Sequence, residues 1–460
     1  MAQFDLRLSG GRVVLPGVGV SEVDVLVTDG KTAGLCRPGT PVEATEVIDV
    51  SGLTVLPGAI DPHLHLGAAI TFPKVPEDFT KESAAAAAGG VTTLMAFLMG
   101  AGPYEEPFAE SVKLGEAYSL TDFGFHFCIN TQEQLQSLPG YVRDLGVSSF
   151  KFFMSFRGEE GKYLGLPGND DGFLYDLLLA VKETGSILCP HTENIEIVWR
   201  LRDRARALEA VPLRTWYESR PPLVEAEAMQ RVAYLAGAVG APIYAVHISC
   251  VEALNAAREQ RRQHAGIYVE TCPHYLTLDV DSAAGTLAKV NPPVRTSADR
   301  EALWEALKSG EIDSIGSDHN HRTKDKKAGD IWKASAGFPG TETLLPLLVS
   351  EGHVKRGIPL DRIVEVTSTS TARIFGLYPR KGTIAVGSDA DYAVIDLKAK
   401  HTIRAEELHS MAGYTPYEGR EVSCRVVHTF VRGVPVVRNG VVQSKYGHGQ
   451  YLPRPARGAL

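Results

Sequence analysis

The run Leu53-Thr54-Val55-Leu56-Pro57-Gly58-Ala59-Ile60-Asp61-Pro62-His63-Leu64-His65 decides how the rest of the chain is read. An apolar, strand-like stretch over 53–60 leads into two histidines one residue apart. Strand side chains alternate with period 2, so both imidazoles project from one face and can reach a single metal ion. An HxH pair alone is equally compatible with solvated or core-packed rings. Its weight comes from four more metal-competent groups, Lys151, His191, His247 and Asp318, each within or just after another apolar run.

Those runs recur regularly. Strand candidates fall near 53–60, 91–98, 123–129, 148–154, 186–191, 241–247, 267–271 and 312–317. Helical patterns separate most of them, at 78–88, 130–145, 170–184, 223–239, 251–264 and 299–309. This alternation predicts an α/β protein built on a (β/α)8 barrel of parallel strands. A doubly wound open sheet is the alternative, and no Gly-rich fingerprint opens its first unit. Barrel chemistry sits at the carboxyl ends of strands, where the six groups fall. The flanking segments read differently. Residues 1–56 and 376–460 are short alternating strands with Gly turns, so the expected division is 1–56, a central 57–375 and 376–460.

With 460 residues, 44% hydrophobic and 22% charged, the chain has the composition of a globular protein with a large core. A net charge of -8 offers no basic surface for nucleic acid or an anionic membrane. Six cysteines without a CxxC pair read as buried free thiols of a reducing compartment. The N-terminus lacks signal-peptide character, and no apolar run approaches the ~20 residues of a membrane helix. A cytoplasmic protein is expected.

Lys151, in Ser149-Phe150-Lys151-Phe152-Phe153, is the sharpest single residue. A free ammonium is costly to bury there, so it must snorkel, find a carboxylate, or lose its proton. A neutral amine reacts with CO2 to give a carbamate, whose two oxygens can bridge two divalent ions. His63 and His65 would serve one ion, His191 and His247 the other. Asp318 either caps the following turn or acts as ligand and general base. The expected reaction is attack of a metal-bridging hydroxide on an amide carbonyl, with Asp318 passing the proton to the departing nitrogen.

The chain resembles the amidohydrolase superfamily, in the cyclic-amidase branch that holds hydantoinases, dihydropyrimidinases, allantoinases and dihydroorotases. The resemblance runs through PGAIDPHLHL (57–66), AAAAAGGVTT (84–93), GVSSFKFFMS (146–155), PHTEN (190–194), SRPPLVEAEA (219–228), AVHIS (245–249), ETCPHYLTL (270–278), NPPVR (291–295), GSDH (316–319), GFPGTE (337–342) and TSTSTARIFGLYPRKGTIAVGSDAD (367–391). It implies a TIM barrel with a β-sandwich built from both termini. It also implies two divalent ions, zinc with manganese as the other candidate, a carboxylated Lys151, and a homotetramer acting on a small cyclic amide.

Departures from the family pattern bear on substrate. Where hydantoinases carry a tyrosine after the bridging lysine, this chain has Phe156, and Asn291 and Ala336 stand at two further substrate-contact positions. Leu66-Gly67-Ala68 replaces the arginine that follows HxH in dihydroorotases. His319, His321, Arg322 and Lys324 form a basic cluster after Asp318. It is either a solvated face or, if it meets the substrate, a match for an anionic or strongly polar ring. Arg295 and His274 match family positions with structural or catalytic roles equally open. Loops 67–75 and 156–166, with Phe72, Phe156 and Tyr163, are candidate lids. The expected function is hydrolytic ring opening of a cyclic amide or imide, hydantoinase- or dihydropyrimidinase-like. An allantoinase-like ureide hydrolase is the alternative, as is a non-catalytic scaffold, which predicts lost ligands where all six are present.

Overall fold

A computed structural model describes residues 3–67, 70–162, 166–207, 211–454 and 456. The apolar run at 53–60 is two strands rather than one, Thr54–Pro57 and Ala59–His65. Gly58 parts them. A Cβ at this position would fall 2.2 Å from Thr92 Oγ1, so the chain passes here only without a side chain. His63 and His65 therefore lie inside the second strand, not beyond the run.

Ala59–His65 begins a curled parallel sheet that continues through Val91–Leu98, Asp122–Cys128, Ser149–Phe153, Ile187–His191, Ile243–Ala245 and Ile267–Thr271. The eighth strand is broken into Ser314–Ile315 and His319–Asn320. Its first half pairs with Glu270 and Thr271, its second with Leu64 and His65, so the sheet closes on itself as a barrel. Strands such as Val91–Leu98 and Asp122–Cys128 are buried along their whole length, as a parallel sheet covered on both faces requires. Ile60, Met95, Phe97, Cys128, Cys189 and Tyr244 help fill the interior.

The helical patterns form at Glu77–Ala88, Gln132–Leu145, Asp171–Glu183, Pro222–Val239, Val251–Arg261 and Ser297–Ser309. Thr131 and Thr296 start two of them with capping boxes, each side chain accepting the N–H three residues on. Two helices between the fifth strand and Pro222, Ile195–Ala205 and Pro212–Ser219, escaped the periodicity. No helix among the described residues is long and apolar enough to cross a membrane.

Both chain ends build the second layer. A seven-stranded sheet runs Val441–Val442, Val434–Arg438, Arg425–Val431, Tyr392–Asp396, Thr54–Pro57, Arg12–Leu15 and Gly19–Glu22. A four-stranded sheet of Lys31–Cys36, Asp24–Thr28, Phe4–Ser9 and Ala44–Asp49 accompanies it. Leu6, Leu8, Val25, Val55, Tyr392 and Phe430 share one buried cluster. The segment 449–454 then returns to the barrel: Leu452 N–H donates to Phe123 O at 2.8 Å, and the buried Arg454 donates to Ser149 Oγ at 2.7 Å and to Phe125 O.

Barrel and sandwich meet at a buried charge node. Lys381 Nζ lies 2.5 Å from Asp122 of the third barrel strand, 2.6 Å from Asp391 and 3.0 Å from Asp389. Arg432 completes it on Asp122. Removing the lysine charge leaves Asp391 without a cationic side chain among the described residues, while Arg432 still holds Asp122 and Arg380 and Lys31 still hold Asp389. Lys381→Met is therefore expected to cost about 3–5 kcal/mol, measured as a drop in the unfolding midpoint; an unchanged midpoint would show that the node does not hold the two layers together.

Candidate metal centre

The break in the eighth strand places Asp318. Asp61, buried in the first strand, accepts the Ser317 N–H at 3.0 Å and the Ser317 hydroxyl at 2.5 Å, which pins the break against the barrel start. Gly316 must be glycine, because a Cβ there would lie 2.6 Å from both His63 Cβ and Glu270 Oε2. Asp318 then adopts φ 50, and His247, just after the sixth strand, φ 43. Left-handed backbone at two non-glycine residues is strain that the surrounding structure must hold.

The six expected ligands converge. His63 Nε2 and His65 Nε2 lie 3.2 and 3.5 Å from Asp318 Oδ1. His191 Nδ1 and His247 Nε2 face each other at 2.9 Å, and the His63 and His247 ring centroids are 5.3 Å apart. Lys151 Nζ sits over the rings of Phe97 and Phe153, at 4.6 and 5.0 Å, with no carboxylate among the described residues at ion-pair distance. All six line one cavity of about 310 Å³.

Burial dominates their protonation. It lowers the Lys151 amine against the pull of Asp318, favouring the neutral form. It also lowers His65, to about 4, and His247. His63 differs: burial again acts downward, but Glu270 and Asp318 outweigh it and raise the ring to about 9. Asp318 stays well below the usual carboxylate range, because the histidines around it overcome its own burial.

These residues fit divalent ions. His63 Nε2, His65 Nδ1 and His247 Nδ1 are buried ring nitrogens without a hydrogen-bond partner. Such atoms are costly to leave unmatched. The outer contacts also match a ligand cage. Glu270 Oε1 takes His63 Nδ1 at 2.7 Å and the His247 N–H at 2.7 Å, while Tyr244 donates to Oε2 at 2.8 Å. Glu193 holds His191 Nε2 at 2.8 Å and is itself paired with Arg220 at 2.9 Å. Each carboxylate fixes one ring nitrogen and leaves the other facing inward.

The remaining candidates divide. Phe156, Asn291, Ala336 and Arg322 line the same cavity. Phe156 stacks on Phe153 with centroids 4.2 Å apart, and Asn291 Oδ1 accepts the Trp216 Nε1–H at 3.1 Å. The basic cluster splits by direction. His319 Nδ1 accepts the Gly340 N–H at 3.1 Å, so its proton sits on Nε2, 2.9 Å from Glu82 Oε2. His321 Nε2 faces Asp78 at 3.2 Å. Glu82, His319 and His321 are close enough to hold a cation. The tautomer of His319 makes them buried His–carboxylate pairs instead. Lys324 is exposed, so of the four only Arg322 lines the cavity. Arg295 is buried on Glu225 at 2.8 Å, and His274 packs on Tyr275 and Phe338 with centroids 4.2 and 5.0 Å away; neither lines the cavity. Phe72 packs on Tyr104 with centroids 5.8 Å apart, away from the cavity lining, and Tyr163 lies outside the described residues.

Sequence reasoning missed the roles of Glu193 and Glu270 although PHTEN and ETCPHYLTL were in view. A carboxylate two residues after a ligand histidine, and one ending a strand next to the histidine strand, were the available signals. It also missed Trp216, Lys289, Arg202, Arg206 and Trp332 in the cavity wall, which no local pattern marks.

Comparison with known proteins is consistent across the whole chain. The Amidohydrolase family model matches residues 54–436. A D-hydantoinase of Geobacillus stearothermophilus is 36% identical over 99% of this chain and 98% of its own. An allantoinase of Deinococcus radiodurans is 35% identical over 95% of this chain and 96% of its own. The crystal structure of dihydropyrimidinase from Brevibacillus agri superposes with a TM-score of 0.89 at 32% identity, covering 98% of both chains. With the barrel, the sandwich and the convergent histidines already in place, the chain belongs to the amidohydrolase family.

Proposed function

We propose that this protein is a divalent-metal-dependent hydrolase that opens the ring of a small cyclic amide or imide, in the manner of the hydantoinases and dihydropyrimidinases it is similar to. The observation that carries the reading is the convergence of His63, His65, Lys151, His191, His247 and Asp318 on one cavity. Those six would hold two divalent ions, zinc in the first instance, with Lys151 contributing through a CO2-derived carbamate. When bound, the ions acidify water and polarise the scissile carbonyl.

The protein's own residues do the rest. Glu270 and Glu193 fix the tautomers of His63 and His191. Asp318, kept ionised by the histidines around it, is the group able to take a proton from water and return it to the leaving nitrogen. A cyclic amide suits that economy because its leaving group stays tethered. The apolar floor of Phe153, Phe156 and Ile70 excludes water around the ring. The allantoinase relative favours a cyclic ureide as the second reading. The homotetramer, the cytoplasmic setting and the division at 56 and 375 belong to the same proposal; light scattering tests the first.

Three outcomes test it. Turnover of hydantoins, dihydrouracil, allantoin, succinimide or phthalimide by the zinc- or manganese-loaded enzyme should fall roughly 10²–10⁴-fold in Asp318→Asn; a variant as fast as wild type removes Asp318 as the base. Lys151→Ala should lose bound metal, counted by atomic absorption, and regain part of its rate with added acetate; full metal content in that variant rules out the carbamate. Phe156→Tyr restores a hydroxyl at the mouth and should raise turnover of hydantoin or dihydrouracil by roughly tenfold or more. No change would place the carbonyl elsewhere.

A further inference from the structure

The cavity wall carries an imbalance of charge that ring opening alone does not use. Among the described residues that line it, Arg206, Arg220 and Arg322 carry positive charge, and the one carboxylate, Asp318, is already engaged by the histidines. Arg220 is matched by Glu193. Arg322 has no carboxylate at ion-pair distance among the described residues. Its Nε is buried without a hydrogen-bond partner, and Nη1 reaches only Ser335 Oγ at 3.4 Å. Lys289 donates to Ala334 O at 2.6 Å and lies 4.0 Å from the Trp216 ring centroid.

Resting on the cyclic-amidase reading, we infer that the cavity contains an anion subsite centred on Arg322 and that the ring substrate carries a carboxylate there. A guanidinium presents a planar fork that a carboxylate fills with two charge-assisted hydrogen bonds. A guanidinium that lines a cavity with no carboxylate at ion-pair distance among the described residues is a group whose partner the ligand can bring. The residues behind it agree. Lys327 is buried and donates to Lys289 O, Ser335 O and Gly337 O at 3.1, 2.8 and 2.8 Å, tying together the loops that carry this wall. Burial, with the positive charges of Lys289 and Arg322 added, lowers its amine to about 6, so the local field is positive. Trp216 and Trp332, with ring centroids 5.8 Å apart, supply flat apolar faces beside the cations. This mode does not depend on the residues after HxH, where Leu66 and Gly67 offer no charge.

The test compares acid and methyl-ester forms of the same ring on the metal-loaded enzyme: 5-carboxymethylhydantoin, 5-(4-carboxyphenyl)hydantoin and 4-carboxyphthalimide, each against its ester. Wild type should favour at least one acid by about tenfold or more in kcat/KM, the scale of one charge-assisted contact. Arg322→Met should erase most of that ratio, chiefly through KM, and Arg322→Lys should return part of it. Esters opened as well as every acid, or a ratio unchanged in Arg322→Met, overturns the subsite and leaves the hydrolase reading standing. If no ring is opened, the hydrolase reading falls and the subsite is judged from thermal shifts. Stabilisation by benzoate but not benzamide, lost in Arg322→Met, supports it; equal shifts overturn it.

Discussion

The candidate centre depends on the way the barrel closes. An unbroken eighth strand would carry its side chains alternately inward and outward and could not turn one carboxylate onto both histidines of the first strand. The interruption between Ile315 and His319 resolves this, and the Asp61–Ser317 hydrogen bonds stabilise it. Closure of the sheet and placement of Asp318 are thus one event. The absence of a side chain at Gly316 lets Glu270 and His63 meet directly behind it.

Around that seam the protein arranges charge in two shells of opposite character. The inner shell of imidazoles, amine and carboxylate is arranged to receive cations, with Glu270 and Glu193 as its outer braces. The mouth is cationic and aromatic. Elsewhere in the chain Lys381 and Arg295 are matched by carboxylates at hydrogen-bond distance, and Arg454 and Lys327 by hydroxyl or carbonyl oxygens. Arg322 lines the cavity, and among the described residues its guanidinium reaches only Ser335 Oγ, at 3.4 Å.

Much of the barrel, and the set of six polar residues that converge on its mouth, was legible in the sequence because both follow from local periodicity. Apolar runs end at polar residues, and helices start at Thr131 and Thr296 where the capping pattern stands in plain view. The failures are equally physical. The run at 53–60 reads as one strand because nothing apolar distinguishes Thr54–Pro57 from Ala59–His65; the division comes from Gly58 passing Thr92, a contact 34 residues away in sequence. The eighth strand reads as ending at 317 because its second half follows a backbone break imposed by Asp61. Arg322 could be named from the cluster after Asp318. That His319 and His321 turn away could not, since Glu82 and Asp78 sit on a helix more than 230 residues earlier. Arg202 and Trp216 belong to two short helices, of which the first also brings Ile195 to the cavity and the second brings Trp216 alone.

The segment 449–454 gives this chain a timetable. Arg454 and Phe125 are 329 positions apart, yet the guanidinium reaches the carbonyl of that third-strand residue. Thr54–Pro57 likewise waits for Tyr392–Asp396. On the ribosome, the first three barrel strands emerge long before the residues that cover their ends. The third barrel strand is therefore made more than 300 residues before Leu452 and Arg454, which hydrogen-bond to Phe123 and Phe125 of that strand.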